Sequence, residues 1–421
     1  MIYFLLFLLF LTVTIEYRVD LGPLSVALVE PFALLFSAAV LLPPLIKKRQ
    51  LFLKELLSKI LNEPLVYLFV LMVVWALLIR PWAINWKNGL SDIRDWAIPA
   101  ITFVAFLQLD YRDWRKWLGL FLLVVYLNSL LGIYQHLTDS GRPFVNDMSI
   151  YKKDVNFITG NEVTEATFAA GLYSHPNQLG IYLFTGFMMA LGWITSKTKL
   201  HVRFDVDFHW AKYLLLAPVL LALFWTYSKA SLLVTGLAFG VWVLHHLIKP
   251  TKTFLYVLGG GAILGFIVIF IIQTFLPWAV VGSFLWRFGL WQIAFETMAE
   301  HPIILLFGNG LDLYALEAYH GQPHNQYVFA LLQYGVIGLL ITLAVAGRIW
   351  YIGLQARLEG LMERQPLLVA LWIALLGFLI ISIVETTWLA LLNRLFFVLV
   401  MSIFLAIYKD INQQNGSMKE S

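Results

Sequence analysis

Long apolar runs recur along almost the whole chain, near residues 1–15, 24–46, 65–79, 97–109, 118–137, 176–195, 213–227, 231–247, 254–272, 325–346, 367–384 and 391–407. A helix needs about 20 apolar residues to cross about 30 Å of hydrocarbon. Inside a bilayer its backbone N–H and C=O groups must pair within the segment. The pattern therefore predicts an all-α polytopic membrane protein with about twelve transmembrane helices. The runs at 97–109 and 213–227 are the weakest, so ten spans is the alternative count. Only 13% of residues are charged, against about 25% in soluble domains, which excludes a single water-facing fold.

Loop charge gives an orientation. With the N-terminus inside, the inner loops are 47–64, 110–117, 196–212, 248–253, 347–366 and 408–421; they hold 19 of the 29 Lys and Arg, and the outer loops hold nine. This positive-inside bias predicts both termini in the cytoplasm, one membrane domain over 1–407 and a disordered cytoplasmic tail over 408–421. The net charge of +4 is spread over these loops and makes no case for nucleic acid. The absence of cysteine excludes disulfides, thiolate catalysis and Cys-ligated metal. The N-terminal run lacks a basic flank and a small-residue cleavage site, so it reads as a retained first helix.

Two outer loops are long, 138–175 and 273–324, and loops of that length are usually functional or disordered. The second contains "SFLWRFGLWQIAFETMAEHP". Its pattern predicts an interfacial amphipathic helix, with Trp286, Leu290 and Ile293 towards the bilayer and Gln292, Glu296 and Glu300 outward.

Five places carry ionisable or polar groups at the outer boundary. In "YHGQPHNQYVFALLQYGVIGLL", His324 precedes a long apolar helix whose first amide groups are unpaired and partially positive. That field favours neutral imidazole, a form able to accept a proton. The competing reading is a polar interfacial residue beside Asn325 as helix cap. Lys229, in "FWTYSKASLLV", sits between two apolar runs with almost no loop; it either lines a hydrated cavity or snorkels to the interface. Arg287 offers a fork of donors suited to phosphate oxygens, or anchors its helix among aromatic residues. His175 and Asn177 in "LYSHPNQLGIYL" repeat the His-Pro-Asn theme and read first as a cap, with Asn or Ser bonding the first turn. Glu385 and Arg394, near the outer ends of the last two helices, read as a structural ion pair.

Two motifs are set aside. The "FDVDF" carboxylates Asp205 and Asp207 resemble a metal-nucleotide motif but fall in a predicted cytoplasmic loop. "LGGGAILGF" lies within an apolar run, where small residues allow close helix packing, and is no phosphate loop.

A potential base with two cations, and no side-chain cluster at metal-ligand spacing, suits one kind of reaction. A pyrophosphate leaving group departs as a stable anion, so neutralising cations matter more than a protonating acid. An acceptor hydroxyl needs a base within hydrogen-bond reach. A lipid-linked donor would place such a site within apolar helices.

In order and spacing, "TYSKASLLVTG", "LWRFGLWQIAFETMAEHPIILLFGNGLD" and "PHNQYVFALLQYGVIGLL" resemble the signature region of the O-antigen ligase and polymerase family, over roughly residues 160–345. The resemblance implies a GT-C-like glycosyltransferase in the bacterial inner membrane with a helical periplasmic loop. It implies transfer of a glycan from undecaprenyl pyrophosphate to an acceptor on the periplasmic side. For ligases it further implies a lipid A–core acceptor, inversion of the anomeric centre, and no metal or cofactor. His324 matches the family histidine taken as general base or acceptor-orienting group, and Arg287 the loop arginine at the pyrophosphate. Lys229 falls where the family usually has the Arg of a Ser-Arg pair, which keeps the charge and loses the bidentate fork. Asn325, His175 and Asn177 are supporting candidates. The polymerase loop pattern, Arg followed after ten residues by Gly, is met by neither Arg142 nor Arg287, a slight lean towards ligase. The alternatives are a polymerase joining lipid-linked repeat units, a small-anion transporter of the bicarbonate type, and a structural scaffold.

Overall fold

The structure, a computed structural model, describes residues 1–15, 17–21, 24–79, 86–138, 152–155, 164–173, 175–196, 211–249, 251–257, 259–260, 278–300, 302–308, 323–387 and 391–419. The predicted run at 254–272, the "FDVDF" motif and most of the loop at 138–175 lie mainly outside them. The principal helices are α1 (Ile2–Thr12), α2 (Val29–Lys47), α3 (Arg49–Asn62), α4 (Pro64–Leu78), α5 (Trp86–Phe106), α6 (Trp114–Thr138) and α7 (Pro176–Thr195). They continue as α8 (Leu216–Trp225), α9 (Lys229–Leu247), α10 (Trp278–Glu300), α11 (Pro302–Phe307), α12 (Gln326–Leu358), α13 (Pro366–Ile381) and α14 (Leu391–Lys419). Two small antiparallel hairpins accompany them: Arg18–Leu21 with Leu24–Ala27, and Lys152–Val155 with Thr164–Thr167. The protein is an all-α membrane protein in its architecture.

Six helices among the described residues are long and apolar enough to cross a membrane: α2, α6 with its leading turn, α7, α9, α12 and α14. The sequence predicts about twelve, and the difference has local causes. The run at 65–79 is the second half of a pair, α3 and α4, bent by 99° where Glu63 and Pro64 interrupt the helix. Proline cannot supply the N–H a continuous helix needs there. The runs at 1–15, 213–227 and 367–384 form the shorter apolar helices α1, α8 and α13. The run at 97–109 is the end of α5, whose first turns carry Lys87, Asp92, Arg94 and Asp95.

The core centres on α7, which is buried on most of its circumference. Three glycines six residues apart let three neighbours approach it. A Cβ on Gly180 would come 2.7 Å from Ser231 Oγ of α9, one on Gly186 2.6 Å from Val125 of α6, and one on Gly192 2.5 Å from Ala370 of α13. Lipid tails are as apolar as leucine, so helices in a membrane associate through such close packing rather than through hydrophobic drive. The largest enclosed side chains of the molecule include Trp114, Trp117, Trp372 and, on α7 itself, Tyr182.

The amphipathic segment is helical, as its periodicity predicts, but its apolar stripe packs on protein. Leu290, Ala294 and Met298 are buried, and the last two form a separate small core with Ile304, Val328, Phe329 and Leu332. Phe288 and Phe295 remain exposed on the same helix. Residues 408–419 are helical, where their polar composition predicts a disordered tail. Lys409 pairs with Glu63 at 2.6 Å, and Trp114 Nε1 donates to Asp410 Oδ2 at 2.9 Å, so the first polar residues of this stretch have partners elsewhere in the bundle.

Candidate active site

One end of the bundle gathers the starts of α7, α9 and α12, the end of α13 and the middle of α10. Helix α12 starts where its sequence predicts. Asn325 caps it, its Oδ1 accepting from Tyr327 N at 2.9 Å and Val328 N at 3.1 Å. The next orphan amide, Gln326 N, donates to Ser382 O at 2.7 Å, and Tyr327 Oη donates to Leu379 O at 3.0 Å. Unpaired donors at the start of one helix thus meet carbonyls at the end of another, the groups that helix termini leave over. The join brings the residue before the α12 cap beside the turn that follows α13: His324 beside Glu385.

Helix α10 is fixed to the same place by Trp291, whose Nε1 donates to Pro323 O at 2.6 Å. Arg287 lies one turn earlier on that helix, so the indole sets its register against the His324 segment. The guanidinium Nη2 donates to Glu385 Oε1 at 2.9 Å. Asn177 Nδ2, from the first turn of α7, donates to the same oxygen at 3.1 Å. His324 Nδ1 stands 3.4 Å from Glu385 Oε2. Side-chain exposures are 19% for Arg287, 14% for Glu385 and 32% for His324. The cluster is sheltered from bulk water, open on the histidine side, and joins four separate segments of the chain. The Nε of Arg287 is buried without a hydrogen-bond partner among the described residues, a donor that an anion could satisfy.

The structure brings some of the sequence candidates together and leaves others apart. Arg287, His324, Asn325 and Asn177 converge. The ion pair expected between Glu385 and Arg394 is corrected: Glu385 bonds Arg287, while Arg394 lies over the Trp96 ring at 4.3 Å and reaches Tyr334 Oη at 3.4 Å. The physical reason is the turn at 382–385, which closes α13 and carries the carboxylate towards α10. The cap of α7 is His175 itself, whose Nδ1 accepts from Asn177 N at 3.1 Å; Asn177 does not play that part. Lys229 opens α9 with an exposed side chain and makes no hydrogen bond or ion pair with another described residue. Its helix nevertheless touches α7 through Ser228 and Ser231 at Gly180, one turn beyond Asn177.

Sequence reasoning missed Glu385 as the hub. An ionisable residue directly after an apolar run, in "ISIVETTW", was the available signal; its partner, 98 positions away, was not.

Backbone strain marks the same end of the molecule. Tyr227 (φ 52°) and His324 (φ 46°) are the non-glycine residues with left-handed φ among those described, and each stands just before a helix start. Such conformations cluster at functional sites. The strain gives a direct expectation. His324→Gly should be more stable than His324→Ala by about 1–2 kcal/mol, the cost of a Cβ in the left-handed region, read as a higher thermal midpoint in detergent. Equal midpoints would refute strain at this position.

Residues 214–343 match the family model described as O-Antigen ligase. The matched stretch runs from just before α8 into α12 and contains Lys229, Arg287 and His324. No curated protein matches the chain. The similarity to the O-antigen ligase family is carried by residues 214–343, fewer than half of the chain's 421 residues.

Proposed function

We propose that this protein is an inverting, metal-independent glycosyltransferase that moves a glycan from undecaprenyl pyrophosphate to an acceptor hydroxyl, lipid A–core or a similar glycan, at the periplasmic face of the inner membrane. The acceptor O–H gives its proton to His324 as the oxygen attacks the anomeric carbon. The bond from that carbon to the pyrophosphate breaks, and its electron pair leaves with the phosphate. Arg287 and Lys229 neutralise the departing charge, the kind of preorganised electrostatic help that dominates when a leaving group is already an anion.

The observation that carries this reading is Arg287 beside His324 with an unpartnered buried Nε. A base and an anion-binding group stand within one cluster, as transfer from a phosphate-linked donor requires. Lys229, exposed at the start of α9, is the second cation of this proposal. An apolar groove of about 860 Å³ between α6, α8 and α9, lined by Ile133, Leu221, Phe224 and Leu232, lies close in sequence to Lys229 and suits the polyprenyl tail of the donor. Transport of a small anion is the weaker reading, because transporters usually hold their charges at broken helices near the bilayer midplane. The charges here gather at helix ends.

Purified protein, an undecaprenyl-pyrophosphate glycan and two acceptors make the test. Glycan transfer to lipid A–core is the expected product, with unchanged rate in EDTA. Extension of a second lipid-linked unit in its place makes the protein a polymerase. Inhibition by EDTA reversed by a divalent cation overturns the metal-free chemistry, and anion flux in proteoliposomes lacking any donor overturns the enzyme reading.

A further inference from the structure

We propose that Glu385 is the positioning residue of this site, holding the His324 imidazole as the Nδ1–H tautomer so that Nε2 is the nitrogen that takes the acceptor proton. The proposal rests on the transferase reading above and assigns a role to a residue outside the matched stretch 214–343. Its basis is the division of labour between the two carboxylate oxygens. Oε1 accepts from Arg287 Nη2 at 2.9 Å and from Asn177 Nδ2 at 3.1 Å. Those two donors, from α10 and α7, fix the plane of the carboxylate. Oε2 is then turned to His324 Nδ1 at 3.4 Å. That distance is long for a hydrogen bond, and catalytic hydrogen bonds are often loose before substrate is bound and tighten in the complex. An ionised carboxylate can only accept, so the nitrogen facing it must carry the proton, and the other ring nitrogen is left as the base.

The same carboxylate keeps Arg287 in place before a donor arrives. A buried guanidinium without a counter-charge is costly, and Glu385 supplies that charge at 14% exposure. When a pyrophosphate enters, its oxygens compete for the Arg287 fork, and the unpartnered Nε is the donor already available to it. Glu385 thus couples the two halves of the site: the arginine that meets the leaving group and the histidine that meets the nucleophile.

Glu385→Gln separates this role from a purely structural one. The glutamine keeps the volume of the side chain, and its Oε1 can still accept from Arg287 and Asn177. Its Nε2 must then face His324, and two N–H groups cannot oppose each other. The imidazole is forced to the Nε2–H tautomer, which cannot take a proton at Nε2. A wrong tautomer imposed by a carboxylate-to-amide change is known to cost orders of magnitude in histidine-dependent catalysis. The expected result is a fall in kcat of about a hundredfold, with donor KM unchanged or lower. The double variant with His324→Ala should lose no more than His324→Ala alone, within about threefold, because residues acting as one unit are not additive. Wild-type kcat in Glu385→Gln, or losses that multiply in the double variant, would overturn the proposal.

A readout independent of activity distinguishes failure here from failure of the transferase reading. In ¹⁵N-histidine spectra in mildly alkaline buffer, the His324 signals, identified by their loss in His324→Ala, should report Nδ1–H in the wild type and Nε2–H in Glu385→Gln. The same tautomer in both overturns the role of Glu385 whatever the substrate. A tautomer switch in a protein that transfers no glycan removes the transferase reading alone. If Glu385→Gln does not insert, Glu385→Asp keeps an acceptor-only group one methylene shorter; kcat about tenfold down with Nδ1–H retained supports the proposal, and wild-type kcat overturns it.

Discussion

Replacing His324 with alanine is expected to lower the rate of glycan transfer by about 10²–10⁴-fold, the usual contribution of a positioned general base, while the protein stays folded and inserted. The structure explains why the two effects separate. The side chain is 32% exposed and supports little packing. The cap of α12 belongs to Asn325, and the bond from Gln326 N to Ser382 O uses backbone alone, so both survive. Residual activity should remain, because Arg287 still meets the pyrophosphate. Donor KM should therefore change little, and the loss should fall on kcat. Initial rates over a donor titration, with yield and thermal midpoint in detergent as controls, check this. A variant that transfers at the wild-type rate removes His324 from the mechanism.

The fold was legible where the signal is local. Apolar runs found the helices, and Asn325 and Trp291 lie on segments whose caps and periodicity can be read directly. The number of full crossings was not legible, because it depends on breaks. Tyr227 stops α8 by adopting a left-handed φ, and the bend at Glu63 and Pro64 joins the predicted 65–79 run to a second helix, α3, within the stretch read as an inner loop; apolar composition records neither. The site was legible in its parts. His324 and Arg287 stood out because ionisable residues at a membrane boundary are costly without a use. Their meeting through Glu385 could not be read, since it requires four segments spread from Asn177 to Glu385 to be folded first. Lys229 shows the opposite limit: spacing along the family motif singles it out, and its exposed side chain stands apart from the Glu385 hydrogen bonds.

Substituting Gly335 with alanine should detach α10 and α11 from the bundle and abolish transfer through Arg287, without touching the site. Gly335 breaks α12 internally, with φ 65° and ψ −169°. Tyr334 O accepts from Trp75 Nε1 at 2.7 Å, and Tyr334 Oη accepts from Trp96 Nε1 at 2.7 Å. Into that kink the end of α11 descends: a Cβ on Gly335 would lie 2.3 Å from Leu306 O, and one on Gly308 (φ 80°) 2.1 Å from Gln333 O. Each glycine is required twice, once for its left-handed φ and once for backbone contact. Alanine at either position adds the left-handed penalty to an overlap the backbone must move to relieve, together about 3–5 kcal/mol. The side that yields should be α10 and α11, which hold to the bundle through one small core, the Trp75–Phe307 stack, the Trp291 bond to Pro323 and the Arg287–Glu385 pair, and α10 carries Arg287. Because the chain contains no cysteine, the movement can be measured directly. Met298→Cys with Leu332→Cys, from that small core, should be bridged by a short thiol cross-linker in the parent and not in Gly335→Ala. Gly236→Ala, where an added Cβ meets nothing within 4 Å, should cross-link and transfer as the parent does, and gain up to about 1 kcal/mol of helix stability. Undiminished cross-linking in Gly335→Ala would mean that the kink is not what docks α10, and the position of Arg287 would then need another cause.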